Sequence, residues 1–159
     1  ALATLPVTVV CSGAKAILDL PLTMEALETR GVTVAGYQTS EFPAFYCRSS
    51  GLPVDIRCDN PSEVAALVHA RDLAGLSQAV LIAQPIPPGD ALPAEDVEAA
   101  ISRALDDAER EGVKGYAITP YLLHRISLLT DTRSLHANMA LLANNARLAA
   151  EIAGALLND

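Results

Sequence analysis

Pro6-Val7-Thr8-Val9-Val10-Cys11-Ser12-Gly13-Ala14-Lys15 opens the pattern that decides the fold. A β-branched run broken by Ser12-Gly13 is how a buried strand of a parallel sheet runs out into a tight turn. The apolar residues that follow, Ile17, Leu18, Leu22, Met24 and Leu27, end at Gly31 and predict a helix over residues 14–30, which Pro21 must interrupt or restart. Residues 32–37 form a second β-branched run. Parallel neighbours need a crossover connection, so strand, helix, strand is the unit that builds a parallel sheet.

Working outward, residues 38–51 crowd Phe42, Phe45 and Tyr46 around Pro43 without a period and predict an ordered connection, with room for one helical turn. Residues 53–58 suggest a short strand. Asn60-Pro61-Ser62-Glu63 is a helix start, with proline in the first turn and an acid close behind, and that helix should reach about residue 74. Residues 79–83 are another apolar strand, stopped by Pro85, Pro87 and Pro88. Val97, Ala100, Ile101, Ala104, Leu105 and Ala108 fall at the spacing of an amphipathic helix over residues 94–111. Thr119-Pro120 begins another helix to about residue 129. Ser134 is the expected cap of a long last helix, apolar on most sides and therefore expected to be largely buried. The fold class is α/β: a layered α/β/α arrangement, with a mostly parallel or mixed sheet in the first half and a helix-rich C-terminal half. No repeat or linker divides it, so residues 1–159 read as a single α/β domain or half-domain.

Composition narrows the partners. The chain has 159 residues, 51% of them hydrophobic, enough to build a core. No run approaches the roughly 18–20 apolar residues of a membrane span, so no membrane partner is expected. The first residues carry no basic group ahead of their apolar part, unlike a secretory signal. Cys11, Cys47 and Cys58 match no zinc or CxxC spacing and suit free thiols in a reducing cytoplasm. With 11 basic residues against a net charge of -8, the surface opposes nucleic acid, whose binding depends on phosphate neutralisation. A single small anion needs only a local donor cluster and stays open.

Lys15 and Lys114 are the only lysines, so Lys15 stands out in a chain that otherwise carries its positive charge as arginine. It follows a strand and a turn, where parallel sheets commonly bind ligands beyond their carboxyl ends. At a helix start in apolar surroundings the neutral amine is favoured and can attack a carbonyl carbon, which a guanidinium cannot do. The plainer alternative is that Lys15 binds a phosphate or reaches solvent.

Val9-Val10-Cys11-Ser12-Gly13-Ala14-Lys15-Ala16-Ile17-Leu18-Asp19-Leu20 resembles the nucleophile segment of the pseudouridine 5'-phosphate glycosidase (indigoidine synthase A-like) family. Gly36-Tyr37-Gln38-Thr39-Ser40-Glu41-Phe42-Pro43-Ala44-Phe45-Tyr46-Cys47-Arg48-Ser49-Ser50-Gly51 resembles a second family segment. Pro85-Ile86-Pro87, Thr119-Pro120-Tyr121-Leu122-Leu123, and the stretch from Ser134-Leu135-His136-Ala137-Asn138 to Asn144-Asn145-Ala146 resemble further blocks in the same order. The resemblance covers essentially the whole chain and places it in the C-terminal half of a polypeptide about twice as long. It implies reversible cleavage of the C–C glycosidic bond of pseudouridine 5'-phosphate to uracil and ribose 5-phosphate, through an imine on Lys15. It further implies that Asn138 helps hold the base, that a homotrimer forms, and that a missing N-terminal half carries a general-acid glutamate, most phosphate-binding groups and the aspartate serving a manganese ion (Mn2+). No metal ligand is assigned within this chain. Ser40 and Cys47 depart from the residues familiar at those positions, which bears on substrate preference. Three other readings stay open: a C-glycoside synthase of natural-product biosynthesis, a non-catalytic binding or oligomerisation domain of the same fold, and a Schiff-base aldolase.

The remaining polar residues have competing readings. Asp19 suits a helix cap, and Glu41 an ion pair with Arg48, better than catalysis. Arg48, Ser49 and Ser50 could form a phosphate-binding loop or satisfy turn carbonyls. Asn144 and Asn145 fit structural roles on the last helix. His69, His124 and His136 lack ligand spacing and read as surface or packing residues, and the cysteines as small buried thiols.

Overall fold

A computed structural model describes residues 1–15 and 17–157. Four strands, β1 (Thr8–Cys11), β2 (Thr33–Tyr37), β3 (Ile56–Cys58) and β4 (Val80–Ala83), form one sheet in the order β1-β4-β2-β3, and every pairing is parallel. The expected layered α/β fold with its strands in the first half is therefore what the chain adopts. β4 inserts between β1 and β2, pairing Thr8 with Val80 on one side and Thr33 with Val80 on the other.

Side chains alternate across the sheet, as the period of two requires. Val10, Ala35, Tyr37, Val80 and Ile82 face α2 (Pro61–Leu73) and the C-terminal part of α5 (Arg133–Leu156), meeting Val64, Val68, Leu148 and Ile152. Val9, Cys11, Val34, Leu81 and Ala83 face the other way, against Met24 and Leu27 of α1 (Leu20–Thr29) and against Phe42. Helices therefore cover both faces. A third cluster lies beyond the sheet, where α3 (Ala94–Arg110), α4 (Ile118–Leu129) and the start of α5 enclose Tyr46, Ile86, Leu122, Ile126 and Leu141.

The first helix is shorter than its sequence pattern suggests. It starts at Leu20, with Asp19 accepting from the Leu22 N–H at 2.9 Å and Pro21 in the first turn, the one place where a proline costs a helix nothing. Lys15 consequently sits in the loop before this helix and not at its start. Ala16, also within the expected helix, lies outside the described residues. Residues 38–51 contain turns and isolated bridges but no helical turn. The α2 start is as expected: Asn60 Oδ1 accepts from Glu63 N–H at 3.0 Å while Glu63 Oε2 accepts from Asp59 N–H at 2.6 Å, a reciprocal cap.

Two features of α5 differ from expectation. Ser134 is not its cap. Asp131 and Thr132 both take left-handed backbone angles, φ 50° and 61°, and fold α5 back tightly on α4. Of the first helical N–H groups, Arg133 donates to the Thr130 carbonyl at 3.0 Å, Ser134 to Thr130 Oγ1 at 3.3 Å, and Leu135 and His136 to the Thr132 carbonyl, which leaves Ser134 buried inside the helix. The helix is also covered along one stripe only. Ser134, Ala137, Leu141, Asn145, Leu148 and Ile152 are buried, whereas Leu135, Met139 and Leu142 are half-exposed or more.

Asp107, buried on α3, accepts from Arg125 of α4 at 2.6 Å and pairs with Arg110. The Arg125 hydrogen bond, reinforced by the charges of Arg125, Arg110 and Arg103, outweighs desolvation and holds this carboxyl below the usual carboxylate range. A depressed folded-state value means stability that is full above the unfolded-state value, about 4, and is lost as pH falls through the folded one. Urea melts should therefore show the wild type losing stability below about pH 4. Asp107→Asn should be weaker than wild type at pH 7 and should lose less on acidification.

Candidate active site

Lys15 and Asn138, 123 positions apart in the chain, line one cavity of about 120 Å³. Its other walls are Phe45, Tyr46, Leu123, Ser127, Ser134 and Leu135. Lys15 arrives from the exit of β1, Phe45 and Tyr46 from the connection after β2, Leu123 and Ser127 from α4, and the rest from the first turns of α5. Among the described residues Lys15 forms no ion pair, and neither its amine nor the Asn138 amide has a side-chain hydrogen bond. Both groups are thus uncommitted and partly buried.

The turn that delivers Lys15 is fixed on three sides. Gly13 has φ +80°, and a Cβ on it would lie 1.7 Å from the Pro43 carbonyl oxygen. The Phe45 N–H donates to the Ser12 carbonyl at 3.0 Å. Ser12 Oγ, buried, donates to Asn145 Oδ1 on α5 at 3.2 Å. Asn145 lies two helical turns beyond Asn138 on nearly the same face, so this bond sets the β1 exit against the helix that carries Asn138. Phe45 itself adopts φ 62°, an outlier for a bulky side chain. That twist lets neighbouring Phe45 and Tyr46 both face the cavity, their rings 4.9 Å apart and edge to face.

Burial raises the Tyr46 phenol above its ordinary value, a shift that the Ser134 hydroxyl partly offsets, so Tyr46 is a neutral O–H at physiological pH. Burial likewise pushes up the thiols of Cys11 and Cys47, the latter aided by the charge of Glu98. Both remain thiols, and neither is an activated nucleophile.

The other residues singled out in the sequence have local duties. Asp19 caps α1. Glu41 accepts from the Ser49 hydroxyl and from the Gly51 N–H at 3.1 Å, and not from Arg48 as expected, because the loop turns Arg48 towards the Ile86 carbonyl. Ser50 donates to the Phe42 carbonyl at 2.5 Å. Asn144 and Asn145 both make structural hydrogen bonds. None of the three histidines lines the cavity. Sequence reasoning missed Tyr46, Ser127 and Ser134 as cavity residues. Tyr46 and Ser134 both stand inside quoted motifs and could be found there, although Ser134 also has the look of a cap; Ser127 gives no signal.

The sequence profile of the indigoidine synthase A like protein family matches residues 1–155. The chain belongs to this family. It is 52% identical over 155 residues to the pseudouridine-5'-phosphate glycosidase of Methylobacterium nodulans, an alignment covering 98% of this chain and 46% of that protein. It is 53% identical over 147 residues to the enzyme of the same name from Solibacter usitatus, covering 92% of this chain and 49% of the relative. Among solved structures, the prealnumycin C-glycosynthase AlnA in complex with ribulose 5-phosphate superposes with a TM-score of 0.90 at 38% identity, over 98% of this chain and 51% of that one. An indigoidine synthase A-like protein of Thermotoga maritima gives a TM-score of 0.85 at 36% identity, over 96% and 50%. The chain spans about half the length of the family members it matches.

Gly13→Ala tests the turn. A methyl group against the Pro43 carbonyl, on a left-handed backbone, should destabilise the protein by about 3 kcal/mol or more in urea melts, whereas Gly89→Ala, with nothing near its added carbon, should change stability by less than about 1 kcal/mol.

Proposed function

We propose that this chain carries the covalent part of a C-glycosidase site, which cleaves the C–C glycosidic bond of pseudouridine 5'-phosphate reversibly to uracil and ribose 5-phosphate. The observation that carries this reading is the Lys15 amine, in no ion pair among the described residues, on one cavity with Asn138. The names of the glycosidase relatives support the substrate.

A C–C glycosidic bond has no heteroatom leaving group, so protonating a glycosidic oxygen, the usual task of a carboxylate pair, is unavailable. The Lys15 amine supplies another route. Its nitrogen adds to C1 of the sugar as the ring C–O bond breaks and the ring oxygen takes a proton. The nitrogen lone pair then forms an imine to C1 while the bond between C1 and the base breaks. That bond's electron pair goes to the base carbon, which receives a proton. Water hydrolyses the imine, returning the amine and releasing ribose 5-phosphate. Asn138 holds the base through its free amide, and the neutral Tyr46 phenol donates to a ligand oxygen.

A cavity of about 120 Å³ is small beside the roughly 300 Å³ at which sites for small ligands begin. In this reading a complementary N-terminal half completes the enclosure and supplies the proton donor and most of the phosphate contacts, within the expected homotrimer. The described residues contain no group of three His, Cys, Asp or Glu side chains able to hold a metal ion. The manganese ion that the family resemblance implies would therefore take its ligands from outside them, and no step above runs through it. A synthase reading is favoured by one observation, the TM-score of 0.90 to a C-glycosynthase. Product analysis with uracil against other carbon nucleophiles separates the two.

Borohydride reduction in the presence of ribose 5-phosphate should add one sugar phosphate to Lys15, read by peptide mass, and Lys15→Arg should add none. No adduct, even with the complementary half supplied, would sink the covalent reading. Lys15→Ala should lower the rate of C–C cleavage at least about 1,000-fold. Asn138→Ala should lower kcat/KM about 10- to 100-fold, the scale of one or two lost hydrogen bonds to the base, with the imine still trapped.

A further inference from the structure

A second cleft, of about 350 Å³, shares no lining residue with the Lys15 cavity. Tyr37 and Gln38 bound it where β2 ends, Gln84 one residue past β4, Arg48 from the connecting segment, and Asn144 and Arg147 from α5. It opens at the carboxyl ends of two adjacent parallel strands, the place where open sheets take ligands. Its volume falls within the roughly 300–1,000 Å³ of small-molecule sites.

Donors dominate its walls. Arg48 makes no ion pair among the described residues. One of its terminal nitrogens donates to the Ile86 carbonyl, which holds the guanidinium and leaves its other N–H groups unused. Arg147 donates to Glu151 at 2.8 Å and to Asn144 Oδ1 at 2.8 Å, and the Asn144 Nδ2 reaches the Pro85 carbonyl at 3.5 Å. Glu151 thus balances one guanidinium, and among the described residues the other is in no ion pair with a carboxylate. Gln84 is only 7% exposed, yet its side chain has no hydrogen bond among the described residues. Its Oε1 is sealed off without a partner, so the end left to the cleft is the Nε2 donor. Buried side chains held without partners are rare in native proteins and call for an explanation. An acceptor on a ligand would partner its Nε2; the sealed Oε1, itself an acceptor, is not satisfied by such a ligand.

We propose that this cleft is a binding site for a small oxyanion, the phosphate or carboxylate group of a metabolite, gripped by the Arg48 fork with Arg147 and the Gln84 amide as further donors. A planar guanidinium matches two oxygens of such a group at once. The net charge of -8 that opposes polyanions does not oppose one oxyanion met by local donors. This site stands apart from the chemistry assigned to Lys15.

Titration of the isotopically labelled protein with inorganic phosphate and, separately, with acetate tests it, reading the arginine Nε–H and Gln84 amide resonances by NMR. Saturable shifts at Arg48, Arg147 and Gln84 are expected for at least one probe, with a dissociation constant on the order of 1 mM or tighter. The tighter probe identifies the group. Arg147→Gln and Arg48→Lys should each weaken binding about tenfold; the second keeps the charge and removes only the fork. Lys15→Ala should leave the titration unchanged, so that failure of an adduct on Lys15 and failure of this site are separate results. Shifts that stay linear to tens of millimolar, binding undiminished in both arginine variants, or binding lost in Lys15→Ala would overturn the proposal.

Discussion

The contact between the Gly13 backbone and the Pro43 carbonyl organises everything else near Lys15. No side chain fits there, since a Cβ would lie 1.7 Å from that oxygen. Because the two backbones meet so closely, the Phe45 N–H can reach the Ser12 carbonyl and the Ser12 hydroxyl can reach Asn145. Three remote segments, the exit of β1, the connection after β2 and the last helix, are thereby locked together at one point. The strained backbone of Phe45 costs on the order of 1–3 kcal/mol, and this network is what sustains it.

The sheet was legible from the sequence because its signals are local. β-branched and apolar runs mark β1, β2 and β4 within about two residues of where they lie, with Ser12-Gly13 ending the first and Pro85 the last. The α3 stripe and the Asn60 cap were equally plain. What failed depended on neighbours in space. Ser134 has the chemistry of a cap, but two left-handed residues before it turn the chain so that the Thr130 hydroxyl and the Thr130 and Thr132 carbonyls take the first helical N–H groups. Glu41 and Arg48 carry opposite charges seven positions apart, and the loop geometry gives each a different partner. Lys15 and Asn138 could be named from motifs, but nothing in their spacing says that they share a cavity. Of the Gln84 cleft only Arg48 could be picked out in the sequence, as part of a candidate phosphate-binding loop, since the cleft is assembled from four separate segments.

Leu135 links the site to the surface. It lines the Lys15 cavity, and it also begins the exposed apolar stripe that continues through Met139 and Leu142. Helix α5 is therefore at once a wall of the site, through Asn138, a strut of the core, through Leu141 and Leu148, and an uncovered apolar edge. The excess of apolar residues around its circumference, more than one buried stripe needs, has its physical reading here.

The insertion of β4 between β1 and β2 has a consequence for how the chain is made. Neither early strand pairs with the other; each pairs with β4, whose first paired residue is Val80. While the polypeptide emerges from the ribosome, β2 and β3 can meet, but the middle of the sheet cannot form until Val80 and the rest of β4 have emerged. Such distant pairings slow folding, and until they form, two apolar strands present open edges to any strand they encounter. Assembly should thus be late and cooperative, with the β1 exit and its lysine put in place only after the central strand arrives.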